Sequence, residues 1–445
     1  MTVLFVLLPY PSHYIACFGF AHLWQKRGYK VLFTGHEGQK ELVENEGFTF
    51  INMDYTSTFL IYKIKVFLGL LIKEVVEPNS IFKRYKDWYN TIQLFRTIVK
   101  ENKPKIIFLD EHLSYYYIYL LSFKVSIAIV NTKLSTSRCS NIPPLNSAFI
   151  PINTKLSQYW CHFLWERHLI HRRFKHFIET IAFCGYSDRY FIKHLLRRYN
   201  ISYSDVFKED NSFYEKAKNL PTIILAPKIF EYRNIREEAN QYYVNPPVDR
   251  DESNYITSDY LCLKNELINQ KRAGDIKVVY AAFGTLMKEN ANSVNMLLTK
   301  IIDAFSRRPD LYLILSASLE QSAKRLSLPK NITIVPFAPQ IDILSWCDLM
   351  IAHGGLTSIK ECIVAGIPML IYPLNKKMDM IGNGARVTYH EWGLLGDIKN
   401  DSVNTILKRI ESAFKLKPDK VCTDLSIPSS LVKDLIINDV DLQIN

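Results

Sequence analysis

Glycine is scarce, at 16 of 445 residues, and no stretch has the composition of a flexible linker or a low-complexity tail. The eight cysteines, Cys17, Cys139, Cys161, Cys184, Cys262, Cys347, Cys362 and Cys422, include no C-x-x-C pair and no zinc-like spacing. They are read as reduced, mostly buried thiols of a cytoplasmic protein, and no metal site is expected. A run of about 20 apolar residues, as a membrane span requires, is also missing. The opening MTVLFVLLPY lacks a basic flank and a small-residue cleavage site, and its apolar run stops at Pro9. It reads as a buried strand rather than a signal peptide. Leu113 to Val130 carries Lys124 and several tyrosines, and divides into a helix followed by a strand.

What is present is a chain able to build full cores, with 48% hydrophobic and 13% aromatic residues. Its composition excludes a disordered protein, and its length exceeds what one core usually serves, so two domains are expected. The net charge is +11. Positive residues gather between Lys155 and Arg198, interleaved with Tyr159, Trp160, Phe163, Trp165, Phe174 and Phe177. A solvated helix face is the first reading of the charges and helix core the first reading of the aromatics; a peripheral membrane surface is the alternative. No recognition motif accompanies the charge, so nucleic acid is not an expected partner.

The hydrophobic pattern alternates between strand and helix. T-V-L-F-V-L-L reads as a strand, P-Y-P-S-H as a loop, Tyr14 to Lys26 as a helix and K-V-L-F-T as a second strand. A strand–helix–strand unit of this kind implies a parallel sheet. Helices are expected near His36 to Glu46 and between Phe59 and Lys100, and strands at K-I-I-F-L, ending at Asp110, and at V-S-I-A-I-V. Two prolines and a polar run break the pattern from Asn245 to Asn254. A second alternation starts at K-V-V-Y-A-A-F, with helices Ser293 to Phe305 and Leu356 to Val364. The expected organisation is a first domain over 1–244, a linker over 245–274, a second domain over 275–415, and a C-terminal segment over 416–445 that packs back on the first. The fold class is α/β, with two Rossmann-like, doubly wound parallel-sheet domains facing a cleft. Ligands then belong at the strand carboxyl ends.

H-G-G-L-T-S-I-K-E, from His353 to Glu361, comes directly after the strand D-L-M-I-A and opens a helix. Two glycines before a helix start let backbone N–H groups approach a diphosphate, at the positive end of the helix dipole. His353, Thr357 and Ser358 can add donors, and Glu361 can accept from ribose hydroxyls; the bland alternative makes Thr357 or Ser358 a helix N-cap. F-A-P-Q (Phe337 to Gln340) stands before this segment, and G-I-P-M-L-I-Y-P and D-M-I-G-N stand after it.

This ordered set resembles the nucleotide-sugar signature of the UDP-glycosyltransferase superfamily with the GT-B fold, particularly its bacterial natural-product members. The resemblance implies uracil against Phe337 with Gln340 near the nucleoside, phosphates among His353, Gly355, Thr357 and Ser358, and Glu361 on the ribose. It implies further diphosphate contacts from Gly284 and Thr285, and Asp379 on the sugar hydroxyls. Met380 stands where the family usually has Gln, and a sugar hydroxyl losing its partner costs about 1–3 kcal/mol. A donor other than glucose is therefore expected.

Sugar transfer to a hydroxyl needs a base, and a neutral imidazole suits that task near pH 7. His13 comes after the first strand, and a helix N-terminus disfavours extra positive charge there. Asp110, at another strand end of the same sheet, is its expected partner, with Glu111 and His112 as alternatives. The pair resembles the superfamily's catalytic His-Asp dyad, with Ser12 where Gly is frequent. The resemblance implies an inverting transfer from a UDP-sugar to an apolar small molecule or lipid-like alcohol, with no cofactor and no obligatory metal; no D-x-D stands at a strand end of the second half. The apolar stretch Phe59 to Ile72, with the Tyr159 to Phe177 region, suggests an acceptor channel or a membrane-facing patch. Two other expectations compete: a UDP-sugar epimerase, and a non-catalytic subunit that binds nucleotide-sugar.

Overall fold

The computed structural model describes residues 1–53, 78–182, 188–208, 212–214, 216–233, 235, 240–247, 252–284, 290–317, 328–336 and 338–437. Thr285, Phe337 and the stretch Phe59 to Ile72 lie outside them.

The first sheet has seven strands: β1 (Thr2–Val6), β2 (Lys30–Gly35), β3 (Thr49–Asn52), β4 (Ile106–Asp110), β5 (Ser126–Asn131), β6 (Thr222–Ile224) and β7 (Gln241–Tyr243). Their order is β3-β2-β1-β4-β5-β6-β7, parallel throughout. The second sheet has six: β8 (Lys277–Ala282), β9 (Leu311–Ser316), β10 (Ile332–Val335), β11 (Leu349–Ala352), β12 (Met369–Ile371) and β13 (Gly393–Leu395). Their order, β10-β9-β8-β11-β12-β13, is again all parallel. The central strands are unbroken apolar runs because helices cover both faces of each sheet.

The main helices are α1 (Pro11–Lys26), α2 (Lys40–Asn45), α3 (Pro78–Asn102), α4 (Lys155–Ala182), α5 (Asp188–Arg198), α6 (Ser258–Ala273), α7 (Ala291–Ser306), α8 (Gln340–Leu344), α9 (Leu356–Ala365), α10 (Met380–Tyr389), α11 (Val403–Ala413) and α12 (Ser429–Ile437). Residues 258–273 form α6, started by the Thr257 hydroxyl accepting from Tyr260 N (3.2 Å) and stopped by Gly274 at φ +83°. Its Leu267 packs in the second sheet's core.

In each sheet the chain reverses its winding between the first strand laid down and the fourth: at β1/β4, and at β8/β11. A parallel sheet opens a crevice at such a reversal, and in sheets of this kind ligands bind there. Two apolar clusters flank the first sheet and two the second, and one of the latter takes in Leu134, Leu145, Trp165 and Phe230 from the first half. The halves thus share apolar packing. The chain also returns: Ile427, Leu431 and Leu435 of the C-terminal segment lie in a cluster of the first sheet with Val3 and Phe5.

Two expectations fail. The first helix begins at Pro11 rather than Tyr14, because proline at N1 is already set to helical φ and has no N–H to leave unpaired. The aromatics of α4 are not core: of those expected, only Trp165 is buried, while Tyr159, Trp160, Phe163, Phe174 and Phe177 are all at least half exposed.

Candidate active site

His13 lies in the first turn of α1, just past β1, and Asp110 ends β4, so the two flank the first crevice. His13 Nδ1 and Asp110 Oδ2 are 2.6 Å apart, and both residues are buried. Thr132 Oγ1 lies 3.3 Å from the same nitrogen. No hydrogen bond engages Nε2 among the described residues, which leaves that nitrogen for a ligand. Asp110 also accepts from Leu8 N (3.3 Å) and His112 N (3.0 Å), so it caps the turn after β4 and orients the imidazole together. Burial alone would raise its pKa; the charge and hydrogen bond of His13 and the contacts of His112 outweigh this and hold the carboxyl well below the usual carboxylate range.

The alternative partners are occupied elsewhere. Glu111 accepts from Thr136 Oγ1 (2.5 Å), and His112 Nε2 lies 2.5 Å from Lys133 Nζ. Ser12 is exposed on the first turn, which explains why a side chain is tolerated there.

In the second sheet, Ala282 of β8 pairs with Ala352 of β11, so Gly284 and His353 emerge side by side. The His353 ring rests on two glycines: a Cβ built on Gly284 lies 2.8 Å from its Cε1, and one built on Gly355 lies 2.6 Å from its Nε2. Any larger residue at either position would displace the ring. Burial pushes the imidazole down to about 4 against the pull of Asp379, so the ring is neutral at neutral pH. Its Nδ1 is buried without a partner among the described residues.

Gly355 is the N-cap of α9 and supplies no side-chain cap, so Thr357 and Ser358 lie inside the first turn rather than capping it. The first-turn N–H groups therefore face the crevice uncapped by any side chain, a ready anion site. Deeper in, Gln340 Nε2 donates to Glu361 and to Ser358 Oγ (3.3 Å), while Tyr280 OH donates to Gln340 Oε1 (3.2 Å). Gln340, Ser358 and Glu361 are thus one bonded group.

Asp379 is the N-cap residue of α10, and Asn383 Nδ2 ties its Oδ2 (3.0 Å) to Gly354 O (2.9 Å), binding the loop after β11 to the loop after β12. Met380 is buried in the apolar cluster with Tyr372 and Leu374.

Sequence reasoning missed Lys133, Thr132, Asn383 and Tyr214. Thr132 and Lys133 come directly after β5, so the strand-end rule that finds Asp110 points to them as well. Lys133 Nζ sits 5.0 Å from the centre of the Tyr214 ring. Burial would lower its pKa, but Tyr214, Asp379, Asp110 and Glu111 raise it, so the ammonium stays charged. Asp379, one of the groups acting on Lys133, belongs to the second half.

The family model described as UDP-glucoronosyl and UDP-glucosyl transferase matches residues 183–408, just over half of the chain. The chain belongs to this family. Among its named relatives, the uncharacterized UDP-glucosyltransferase YdhE of Bacillus subtilis (strain 168) is 26% identical over 244 residues, 49% of this chain and 59% of that protein. UDP-glucuronosyltransferase 3A1 of Homo sapiens is 28% identical over 161 residues, 35% of this chain and 30% of its own. The demethyllactenocin mycarosyltransferase of Streptomyces fradiae is 22% identical over 202 residues, 45% and 40% of the two chains. The chain thus spans less than two thirds of the length of these relatives.

Solved structures extend the likeness to the whole fold. The glycotransferase of kitacinnamycin superposes with a TM-score of 0.63 at 14% identity, over 98% of this chain and 92% of that one. The spinosyn rhamnosyltransferase SpnG complexed with thymidine diphosphate gives 0.55 at 13% identity, over 99% and 95%. This family member therefore has the two-sheet GT-B fold. No helix among its described residues is long and apolar enough to cross a membrane.

Proposed function

We propose that this chain is an inverting glycosyltransferase that moves a sugar from a UDP-sugar to a hydroxyl of an apolar small molecule or lipid-like alcohol, with His13 as general base. The observation that carries the reading is the 2.6 Å contact between His13 Nδ1 and an Asp110 held ionised, which turns Nε2 into the accepting nitrogen. The acceptor hydroxyl gives its proton to Nε2 as its oxygen attacks the anomeric carbon from the face opposite the leaving UDP. Asp110 stabilises the imidazolium that results.

The diphosphate is assigned to the uncapped first turn of α9, with the Thr357 and Ser358 hydroxyls and the neutral His353 as donors. Gln340 and Glu361 take the nucleoside and its ribose, and Asp379 takes the sugar hydroxyls. Phe337 and Thr285 keep the nucleotide roles that the resemblance implies. No metal has a role in this scheme, so a chelator leaves turnover unchanged.

The test is a UDP-release screen that crosses several UDP-sugars with hydrophobic acceptors, completed by mass spectrometry and anomer assignment of the product. Release that depends on the acceptor and is lost in His13→Ala is the expected result. Conversion of UDP-sugar without acceptor, undiminished in His13→Ala, overturns it in favour of an epimerase.

A further inference from the structure

Helix α4 presents an apolar seam to solvent. Leu156, Trp160 and Phe163 in its first half, and Ile170, Phe174, Phe177 and Ile181 in its second, succeed one another at alternating steps of four and three residues, with Arg167 filling the single gap. Such steps place them on one face of a helix. Each apolar member is half or more exposed, and so is Tyr159 beside them. The opposite face is used: Cys161, Leu164, Trp165 and Leu169 are buried, with Trp165 Nε1 donating to Ile142 O (2.8 Å) and Arg172 Nη1 to Ser212 O (2.9 Å). The helix is therefore fixed to the body with its seam outward.

Charge decides what the seam fits. At helical pitch, His171 and Lys175 fall along one edge of it and Lys155 and Arg173 along the other, all exposed, in a chain of net charge +11. Aromatic side chains with basic residues on both margins match an anionic lipid surface, where rings settle at the headgroup level and cations meet lipid phosphate. A second copy of the helix fits poorly. A parallel pair sets Arg167 against Arg167, and either direction of pairing brings basic margins together.

We propose that α4 is a membrane-docking surface that lies flat on a bilayer containing anionic lipid. The inference goes beyond the transferase reading and stands without it. It also has a consequence for the cleft. His168, on the inner side of α4, stacks on Phe213 at 4.2 Å, and the adjacent Tyr214 packs on His112 at 4.3 Å. The docking helix is therefore joined, through this run of rings, to the His112 whose N–H bonds Asp110.

The experiment is co-sedimentation of the full chain with vesicles of phosphatidylcholine alone or mixed with phosphatidylglycerol, at low and high salt. Binding is expected on the mixed vesicles, weaker at high salt and weaker on phosphatidylcholine alone. In the double variant Phe174→Glu, Phe177→Glu it falls by about tenfold or more. Tryptophan emission shifts to the blue on vesicles, and Trp160→Phe removes that shift. Three results would overturn the proposal: no binding of the unaltered chain to mixed vesicles, undiminished binding of the double variant, or a lipid-free dimer in light scattering that the double variant dissolves. UDP release toward a water-soluble acceptor, measured on the same double variant, is expected unchanged, so failed docking and failed transfer chemistry remain separate outcomes.

Discussion

Arg386 Nε lies 3.2 Å from Glu231 Oε2, and the two side chains, each about 1% exposed, come from opposite halves of the molecule. Glu231 Oε1 accepts from Ser135 N (2.7 Å) and Tyr243 OH (3.2 Å), Arg386 Nη1 donates to Gly382 O (3.2 Å), and the guanidinium stands over the Tyr232 ring. The pair is thus buried and bonded to both halves. Nearby, Gly382 leaves no room for a Cβ against the Leu145 carbonyl, and His390 Nε2 reaches Glu231 O at 3.1 Å, so α10 is seated on the first half along its length.

Arg386→Met strands the Glu231 carboxylate in that environment and is expected to cost about 3–5 kcal/mol, read as a lower urea midpoint. Glu231→Gln added to it recovers part of the loss, since the amide still accepts from Ser135 without an unpaired charge. Equal stability of Arg386→Met and the unaltered chain would show that the pair does not hold the halves together.

The dyad gives a second prediction. His13→Ala lowers turnover by about 10²–10⁴-fold while leaving UDP affinity unchanged in calorimetry. Asp110→Asn lowers turnover as well, because an amide can orient the ring but cannot stabilise its cation. The folded carboxyl is held below its unfolded value, so its contribution to stability is complete above about pH 3.9. The stability gap between the unaltered chain and Asp110→Asn is therefore expected at pH 7 and shrinks as pH falls past that point.

The alternation of apolar runs discloses both parallel sheets, because strands covered on two faces carry little else. The helix-opening glycines before α9 are legible for a similar reason: a close backbone approach leaves a mark in composition. His13 and Asp110 are legible from strand ends. Lys133 also follows a strand end, but a lone lysine there resembles any surface lysine until its burial against His112 and Tyr214 is known. The α4 aromatics mislead, since period alone marks one face of a helix without saying whether protein or something else covers it. Glu231 and Arg386, 155 residues apart, have no local signature at all.

Gly355→Ala supplies a third prediction. Gly355 is extended, at φ −66° and ψ 134°, so alanine is not strained there; its methyl instead meets the His353 ring. UDP affinity is expected to weaken about tenfold, the worth of one displaced hydrogen bond, with thermal stability little changed. Unaltered UDP affinity would remove His353 from the diphosphate site.

Lys360 supplies a fourth. It is buried on α9, and burial pushes its ammonium down to about 8 despite the opposing pull of Glu361, Cys17 and Asp424. Below about pH 8 both folded and unfolded chains carry the proton and the full penalty applies; between about 8 and 10.4 only the unfolded chain binds it, so stability rises with pH. Lys360→Met is expected to stabilise by roughly 1–3 kcal/mol at pH 7, a gain that shrinks through that window. A gain that does not change between pH 7 and 10 contradicts a penalty rooted in the charge.

The chain passes between its halves near Asn245 and comes back before α12, and the two passages are bonded to each other. Asn245 N donates to Asp424 Oδ2 (2.7 Å), Asp424 N to Asn245 O (2.7 Å), and Asn245 Nδ2 to Cys422 O (3.0 Å). Gly19 of α1, lacking a Cβ, lets Pro247 press close beside this junction. Two tethers sewn at one spot act as a single joint, so neither lobe can slide along the other there without tearing that stitch.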